Sequence, residues 1–246
     1  MGHYDDKHCV LKPTVENRFV DYITITQRRD MNYKILGQVF DSNSTKSPPD
    51  LMYSSPEDEA FYKEATKGQP SHAGFSGTGF DSKGVQIPFS LGYHSIKSMR
   101  DLMQKSGFTS GNMLEIGFNL GYSASIWLTL LPEVKLTSVD ISDKAETLEA
   151  ARVVAERFPG RFKFVLSDSK TLKSKLQKDF FGIAFVDGDH SEAGIVADIE
   201  NCLDLGIKTM IFDDFLPQFG QTIAALSHFP NLKLLEANGN LALGKF

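Results

Sequence analysis

The feature that most constrains the fold is a regular alternation of strand-like and helix-like segments, which begins near residue 95 and continues to the C-terminus. Short apolar runs such as NMLEIGF and FGIAFVD alternate with stretches of helical spacing such as SEAGIVADIENCLDLG. Five strand-like runs are each followed by a helix-like stretch. Because a helical crossover keeps consecutive strands parallel, this order predicts an α/β fold with a parallel sheet and helices on both faces.

The C-terminal segment NLKLLEANGNLALGKF departs from this alternation. Two strand-like runs flank Asn238-Gly239, a pair that favours the positive φ angles of a tight hairpin. We therefore expect a Rossmann-like, doubly wound and mostly parallel sheet of seven strands, completed by an antiparallel C-terminal hairpin.

Residues 1–94 lack this regularity. The run YITITQ at 22–27 alternates like a short strand, whereas 41–50 is a loop by composition. The stretch 71–84 is rich in glycine and serine, and it is either a surface loop or a lid over a substrate. We predict a chain in two parts: an irregular N-terminal extension (1–94) that serves as a lid or a dimer contact, and a principal domain (95–246).

Composition limits the environment and the partners of the chain. Its net charge is −5 and it has no Lys/Arg-rich run, which argues against nucleic acid or an anionic membrane as the main partner. Its two cysteines, Cys9 and Cys202, are too few for a disulfide framework and favour a reducing compartment. The sequence has no apolar run of membrane-spanning length and no secretory signal, so we expect a cytoplasmic protein. The prediction includes a homodimer as one possible assembly.

The segment MLEIGFNLGYSA (113–124) carries the first functional motif. Glu115, Gly117 and Gly121 form E-x-G-x-x-x-G at a strand-to-helix junction, where glycines allow a sharp turn and the close approach of a ligand. Asn119 occupies the position of the middle glycine in G-x-G-x-x-G. This substitution weakens a dinucleotide interpretation, because a pyrophosphate needs that space.

Acids end the next two predicted strands. Asp140 is suited to accept hydrogen bonds from ribose hydroxyls, and Asp168 could meet an adenine ring. Either acid alone could be an ordinary turn or capping residue. A glycine loop followed by two strand-end acids, in this order, indicates an adenosine-containing ligand.

Together, the run LEIGFNLGYSA, the acid in SVDIS, the SDS segment and the closing hairpin resemble class I S-adenosylmethionine (SAM)-dependent methyltransferases over residues 95–246. In that family the glycine loop packs against the methionine part of SAM and the second-strand acid holds the ribose. The resemblance implies an enzyme with SAM as cofactor, bound by Glu115, Gly117, Gly121, Asp140 and Asp168.

A second motif brings acids to two further strand ends. Asp187 and Asp189 end the fourth run, next to His190, and Asp213 and Asp214 end the fifth. If these strands are neighbours, the four carboxylates converge at the edge where open α/β sheets bind ligands. Such carboxylates repel each other, and a divalent cation would remove the conflict. All-oxygen ligands favour Mg²⁺.

The sequence D-G-D-H followed by D-D is similar to metal-dependent O-methyltransferases of the catechol and macrocin types. The resemblance implies that Asp187, Asp213 and Asp214 hold the metal and that Asp189 is the base. His190 departs from the macrocin-type pattern, so the base is either Asp189 or His190. Asp189 could instead cap the following helix, and we expect Asp198 on that helix to face solvent.

The function predicted from the sequence is SAM-dependent O-methylation of a small hydroxylated molecule, such as a sugar, a catechol-like ring or a natural-product intermediate. One alternative is a metal-independent N- or C-methyltransferase of the same fold. Another is a non-catalytic SAM- or nucleotide-binding module. A dehydrogenase is disfavoured by Asn119.

Overall fold

The computed structural model describes residues 56–69, 78–80, 86–88, 93–215, 220–238 and 240–246. The predicted strand at 22–27 and loop at 41–50 lie outside these residues. The helices are α1 (Pro56–Ala65), α2 (Tyr93–Ser106), α3 (Tyr122–Leu130), α4 (Ala145–Arg157), α5 (Glu192–Asp204) and α6 (Gly220–Leu226), with a 3₁₀ helix at Ser169–Ser174. The strands are β1 (Thr78–Phe80), β2 (Gln86–Pro88), β3 (Gly111–Ile116), β4 (Val134–Asp140), β5 (Phe162–Leu166), β6 (Ile183–Val186), β7 (Thr209–Phe212), β8 (Lys233–Asn238) and β9 (Leu241–Lys245).

Seven of these strands form one sheet in the order β5-β4-β3-β6-β7-β9-β8. Strands β3 to β7 are parallel, whereas β9 runs antiparallel to both β7 and β8. The predicted fold class is confirmed, including the closing hairpin. From β3 the chain winds outwards to β5 and then returns to β6. The strand order thus reverses between β3 and β6, and at such a point a crevice opens at the carboxyl ends of the strands.

Apolar residues cover both faces of the sheet. On one face, α2, α3 and α4 contribute Met99, Trp127 and Val154 to a buried cluster, and on the other α5 and α6 contribute Ile199 and Ile223. Trp127 is fully buried and meets Phe185 edge-on, with ring centroids 5.5 Å apart. Its role is packing, which is the ordinary fate of a tryptophan on an apolar helix.

Three local features complete the fold. On α4, Leu148 is 43% exposed, because the buried stripe of this helix contains Thr147, Ala150, Ala151 and Val154. The stretch 71–84 contains β1, which pairs with β2 as a short antiparallel ribbon. The lysine-rich segment after β5 forms only a six-residue 3₁₀ helix. Among the described helices, none has the length and apolarity needed to cross a bilayer.

Candidate active site

The glycine loop between β3 and α3 lies directly against the end of β6. Gly117 has φ 92, and a Cβ atom there would lie 1.9 Å from the carbonyl oxygen of Asp187. Gly121 has φ 71, and a Cβ atom there would meet the Phe118 ring at 2.5 Å. Both positions therefore require glycine for conformation and for space. The Gly117 contact joins the predicted cofactor loop to the first of the clustered acids.

Glu115 lies fully buried beneath this loop. Its two carboxylate oxygens accept hydrogen bonds from the hydroxyls of Ser123, at 2.7 Å, and Ser138. Burial raises the pKa of Glu115 to about 7, against the opposing effect of the two serine hydrogen bonds. The carboxylate thus ties β3 to α3 and β4. Its predicted contact with the cofactor stays a prediction.

Asp140 holds the loop from the end of β4. Its Oδ2 accepts the amides of Phe118 and Asn119 at 2.8 and 2.7 Å, and its Oδ1 accepts the Ser142 amide at 2.8 Å. Asn119 has φ 49, a conformation that asparagine tolerates better than most residues. A carboxylate has about four acceptor positions, so Asp140 retains one that a ribose hydroxyl could use.

Asp168 caps the 3₁₀ helix after β5, where its Oδ1 accepts the Lys170 amide at 2.9 Å. Near it, two apolar side chains that the sequence analysis did not single out are exposed: Ile141 (70%) and Leu166 (46%). Leu166 ends β5 in register with Asp140, and Ile141 comes directly after Asp140. Both exposed apolar side chains therefore lie at the carboxyl ends of two paired strands. An apolar residue directly after a strand-end acid was the signal available in the sequence.

Asp187 and Asp213 end the adjacent parallel strands β6 and β7, as predicted. Burial raises the pKa of Asp187 well above its usual range, and the Asp213 charge adds to this effect. The pKa of Asp213 is raised as well, chiefly by burial and then by Asp214. Asn240, in the hairpin turn, donates its side-chain amide to Asp213 Oδ1. The two carboxyl groups face each other, and each disfavours the ionisation of the other.

Asp214 is directed elsewhere. Its backbone has φ 53, and its Oδ2 lies 2.9 Å from His190 Nδ1. The other ring nitrogen of His190, Nε2, lies 4.0 Å from Asp187 Oδ1. The hydrogen bond to Asp214 raises the pKa of His190, against the opposing effect of burial. His190 therefore sits between two carboxylates and remains accessible, with 61% of its side chain exposed.

The predicted three-ligand metal site is not formed. Across residues 56–69 and the other described ranges, no group of three or more His, Cys, Asp or Glu side chains has an arrangement that could hold a metal ion. Asp187 and Asp213 still line a cavity of about 10 Å³, enough for one water or small ion. Mg²⁺ is commonly bound by one or two carboxylates with waters. Asp187 and Asp213 have the donor chemistry of such a set, and Asp214 does not line this cavity.

Asp189 lines the same cavity as Asp187 and Asp213 but is exposed, shortly before α5. Its Oδ1 accepts the Ser191 amide at 2.9 Å, and this bond lowers its pKa. Ser191 is the N-cap of α5, as its hydroxyl accepts the Gly194 amide at 3.0 Å. Of the two predicted bases, His190 is therefore the one that a carboxylate orients towards the cluster. The role of Asp189 stays a prediction.

Asp198 was expected to face solvent, and this expectation is wrong. It is 1% exposed on α5, and its Oδ2 would lie 2.8 Å from a Cβ atom on Gly188. Burial raises its pKa to about 6. Within the described chain, neither carboxylate oxygen makes a hydrogen bond of good geometry. Asp198 shares the helical spacing of the buried Ile195 and Ile199, and that periodicity was enough to predict its burial.

Comparison with known proteins adds a family to this geometry. Residues 114–215 match the family model described as a methyltransferase domain. A search of curated proteins finds no match.

Solved structures resemble the chain at low sequence identity. A candidate RNA methyltransferase from Pyrococcus horikoshii is 11% identical, with a TM-score of 0.52, and the match covers 78% of this chain and 96% of that one. Cofactor-bound Rv0187 from MTB is 14% identical, with a TM-score of 0.50 and coverages of 96% and 98%. The SAH-bound methyltransferase PaMTH1 from Podospora anserina is 12% identical, with a TM-score of 0.49 and coverages of 96% and 98%. At these identities the likeness concerns the fold.

The matched region begins in β3 and ends just after Asp214, so it spans the glycine loop, the strand-end acids and the D-G-D-H segment. Residues 114–215 are thus a methyltransferase domain by their match to the family model, and the chain around them shares the fold of solved methyltransferase structures.

Proposed function

We propose that this methyltransferase transfers the methyl group of SAM to a hydroxyl of a small acceptor, with His190 as the proton acceptor. The observation that carries the proposal is the position of His190. Its Nδ1 lies 2.9 Å from Asp214 Oδ2 and its Nε2 lies 4.0 Å from Asp187 Oδ1. An exposed imidazole oriented by a carboxylate is a common arrangement for a general base.

The donor side of the site would hold SAM across the glycine loop. Gly117 and Gly121 leave room for the methionine part, and the remaining acceptor position of Asp140 would take a ribose hydroxyl. Asp168 and the exposed Ile141 would border the adenine. Because Gly117 touches the backbone of Asp187, the sulfonium would lie near the acidic pair.

Asp187 and Asp213 would hold Mg²⁺. When bound, the ion supplies positive charge that offsets the two carboxylates and favours ionisation of a nearby hydroxyl. Asn240 would keep the Asp213 side chain in place through its amide.

The transfer itself needs one proton acceptor and close positioning. His190 Nε2 accepts the proton of the acceptor hydroxyl, and Asp214 stabilises the resulting imidazolium through Nδ1. The hydroxyl oxygen then forms a bond to the methyl carbon as the bond between that carbon and sulfur breaks. S-adenosylhomocysteine (SAH) leaves with the electron pair of the broken bond. Holding oxygen and methyl in line supplies much of the rate.

The acceptor that we propose is a sugar, a catechol-like ring or a natural-product intermediate. The net charge of −5 speaks against nucleic acid as the acceptor, and the buried free thiol of Cys202 suits a reducing, cytoplasmic setting. A lid or dimer contact from residues 1–94 remains part of the proposal.

A second candidate is methyl transfer without a metal. His190 favours it, because a protonated imidazole beside both Asp187 and Asp214 could itself offset the charge of the acids. Such an enzyme would transfer methyl groups equally well in the presence of a chelator.

Calorimetry with Mg²⁺ on the SAH-saturated protein tests the metal, with the parent, Asp213→Ala and Asp204→Ala compared. Asp204 is an exposed acid at the end of α5, and among the residues that the structure describes it pairs with Lys173. We expect SAH binding by all three proteins and loss of Mg²⁺ binding by Asp213→Ala alone. Equal Mg²⁺ binding by Asp213→Ala would contradict the assignment of the ligands.

Turnover with a panel of hydroxylated and amine acceptors, with MgCl₂ or EDTA, tests the chemistry. His190→Gln should keep SAM affinity and lose methyl transfer. Transfer to amines alone would overturn the O-methyltransferase proposal, and turnover that EDTA leaves unchanged would select the metal-free candidate.

A further inference from the structure

A second cavity lies at the amino ends of the strands, whereas the acids lie at the carboxyl ends. It has a volume of about 340 Å³ and opens at the start of β4 and β5, lined by Lys135, Arg161, Lys163, Lys175 and Phe180 among others. We call it the basal cavity. Its volume lies at the lower end of the range that small-molecule sites occupy. The proposed reaction does not use this end of the strands.

The short crossover between β5 and β6 explains why the cavity exists. In a doubly wound fold the segment between parallel strands is usually an α-helix that covers the sheet. Here it contains only the six-residue 3₁₀ helix, about 12 Å long at the usual rise. The face of β4 and β5 near their starts is left uncovered.

The lining of the basal cavity is cationic in an acidic protein. Three lysines and an arginine line it, without any Asp or Glu, whereas the chain as a whole has a net charge of −5. Arg161 is engaged by the carbonyl oxygens of Leu128 and Leu131, at 3.0 and 3.1 Å. The three lysines are exposed and, in the part of the chain that the structure describes, they form no ion pair.

Protection of an exposed strand edge accounts for only part of this charge. Lysine on an edge strand discourages pairing with other chains, and β5 is an edge of the sheet, so Lys163 fits that role. Lys135, however, lies on the inner strand β4, and Lys175 lies on the facing crossover. Thr137 is in register with Lys163, so Lys135 and Lys163 project from the same face of the sheet. The three lysines therefore line one space.

An aromatic ring completes the lining. Phe180 is 44% exposed and meets Phe181 edge-on, with ring centroids 5.0 Å apart. A large apolar side chain left open among unpaired lysines suits a ligand that has both negative charge and a flat ring. We propose that the basal cavity binds a nucleoside phosphate, with the phosphate on Lys135, Lys163 and Lys175 and the base against Phe180.

Calorimetric titration of ADP into the full chain saturated with SAH tests this site, because SAH keeps ADP out of the cofactor site. We expect one ADP per chain, with affinity that falls as salt rises. The variant Lys135→Ala/Lys163→Ala should bind ADP more weakly, on the order of tenfold or more. Phe180→Ala should weaken ADP but leave the weaker binding of inorganic phosphate unchanged.

The matched control is Lys208→Ala/Lys233→Ala, which removes two exposed lysines next to β7 and in β8, at the other lateral end of the sheet. It should leave ADP affinity within about twofold. Equal weakening by the control, absence of saturable ADP binding, or competition between ADP and SAH would each overturn the proposal. Much tighter binding of a single-stranded oligonucleotide than of ADP would also overturn it.

If Lys135→Ala/Lys163→Ala fails to bind SAH, Lys135→Gln and Lys163→Gln tested singly take its place. Because methyl transfer is not the readout, failure here leaves the proposed function untouched.

Discussion

Two pairs of acids on the same edge of the sheet have opposite surroundings. At the ends of β3 and β4, Glu115 and Asp140 accept hydrogen bonds from serine hydroxyls and from backbone amides. At the ends of β6 and β7, Asp187 and Asp213 face each other, and both pKa values are raised. The first pair shapes the glycine loop, whereas in the second pair burial and the neighbouring charge both disfavour ionisation.

This difference separates acids that hold the glycine loop from the acids that we propose as metal ligands. A carboxylate surrounded by donors holds the backbone in place and contributes to stability. Two carboxylates that face each other cost stability, and proteins keep such arrangements where chemistry or a ligand needs them. Substitutions on the two sides should therefore move stability and turnover in different directions.

The largest effect is expected at the Asp187–Asp213 pair. Asp213→Asn removes one of the two facing charges, while the new side-chain oxygen can still accept the Asn240 amide. We expect turnover to fall on the order of 10³-fold. Stability in urea should rise by about 1 kcal/mol, because the repulsion with Asp187 is gone. Asp204→Asn should change neither quantity. A loss of stability in Asp213→Asn would contradict the comparison.

A substitution in the glycine loop should lower stability and SAM binding together. Gly117→Ala forces a Cβ atom to within 1.9 Å of the Asp187 carbonyl oxygen at φ 92. We expect a loss of about 3 kcal/mol in the free energy of unfolding and a matching loss of SAM affinity. Thermal and chemical denaturation with and without SAM measure both.

Gly107 provides the control for this substitution. It has φ 73 and no atom within 4 Å of an added Cβ, so Gly107→Ala isolates the backbone cost. That variant should lose only about 1 kcal/mol and bind SAM normally. Equal losses in the two variants would mean that the contact between the loop and β6 contributes nothing.

The sequence predicted the order of elements and the strand-end acids because both depend on local patterns. Hydrophobic period distinguishes the strands from the helices, and parallel strands bring their carboxyl ends to one edge. The approach of Asp187 to Asp213 follows from that rule alone. The direction of Asp214 does not, because it depends on a single backbone angle, φ 53, which lies in a region that most residues avoid.

Features that depend on distant residues were missed. The lysines of the basal cavity are far apart in sequence, so they form no basic run that would indicate a site. Their proximity follows only from strand register and a short crossover. The burial of Asp198 was predictable from its spacing, but its polar type suggested a surface position. Residue type and residue period disagreed there, and period was the better guide.

The smallest expected effect concerns Glu115, which belongs to the hydrogen-bonded pair of acids at the glycine loop. Its pKa is raised to about 7 in the folded chain from an ordinary value of 4.5, so between these values the folded state binds more protons than the unfolded state. A raised carboxyl pKa means that stability falls as pH rises through this window and is constant above it. From pH 5 to pH 7 the loss from this group is about 2 kcal/mol. Glu115→Gln cannot ionise and should lack that part of the loss.

Urea denaturation of the parent and of Glu115→Gln at pH 5 and pH 7 measures this difference directly. Other buried acids titrate in both proteins, so subtracting one pH dependence from the other isolates Glu115. The exposed Glu200→Gln should show the pH dependence of the parent. If Glu115→Gln loses as much stability as the parent between the two pH values, Glu115 ionises freely despite its burial. The hydrogen bonds from the serine hydroxyls would then offset the effect of burial on the pKa of Glu115. Glu115 would ionise without cost, and the contrast in ionisation between the Glu115–Asp140 pair and the Asp187–Asp213 pair would be larger.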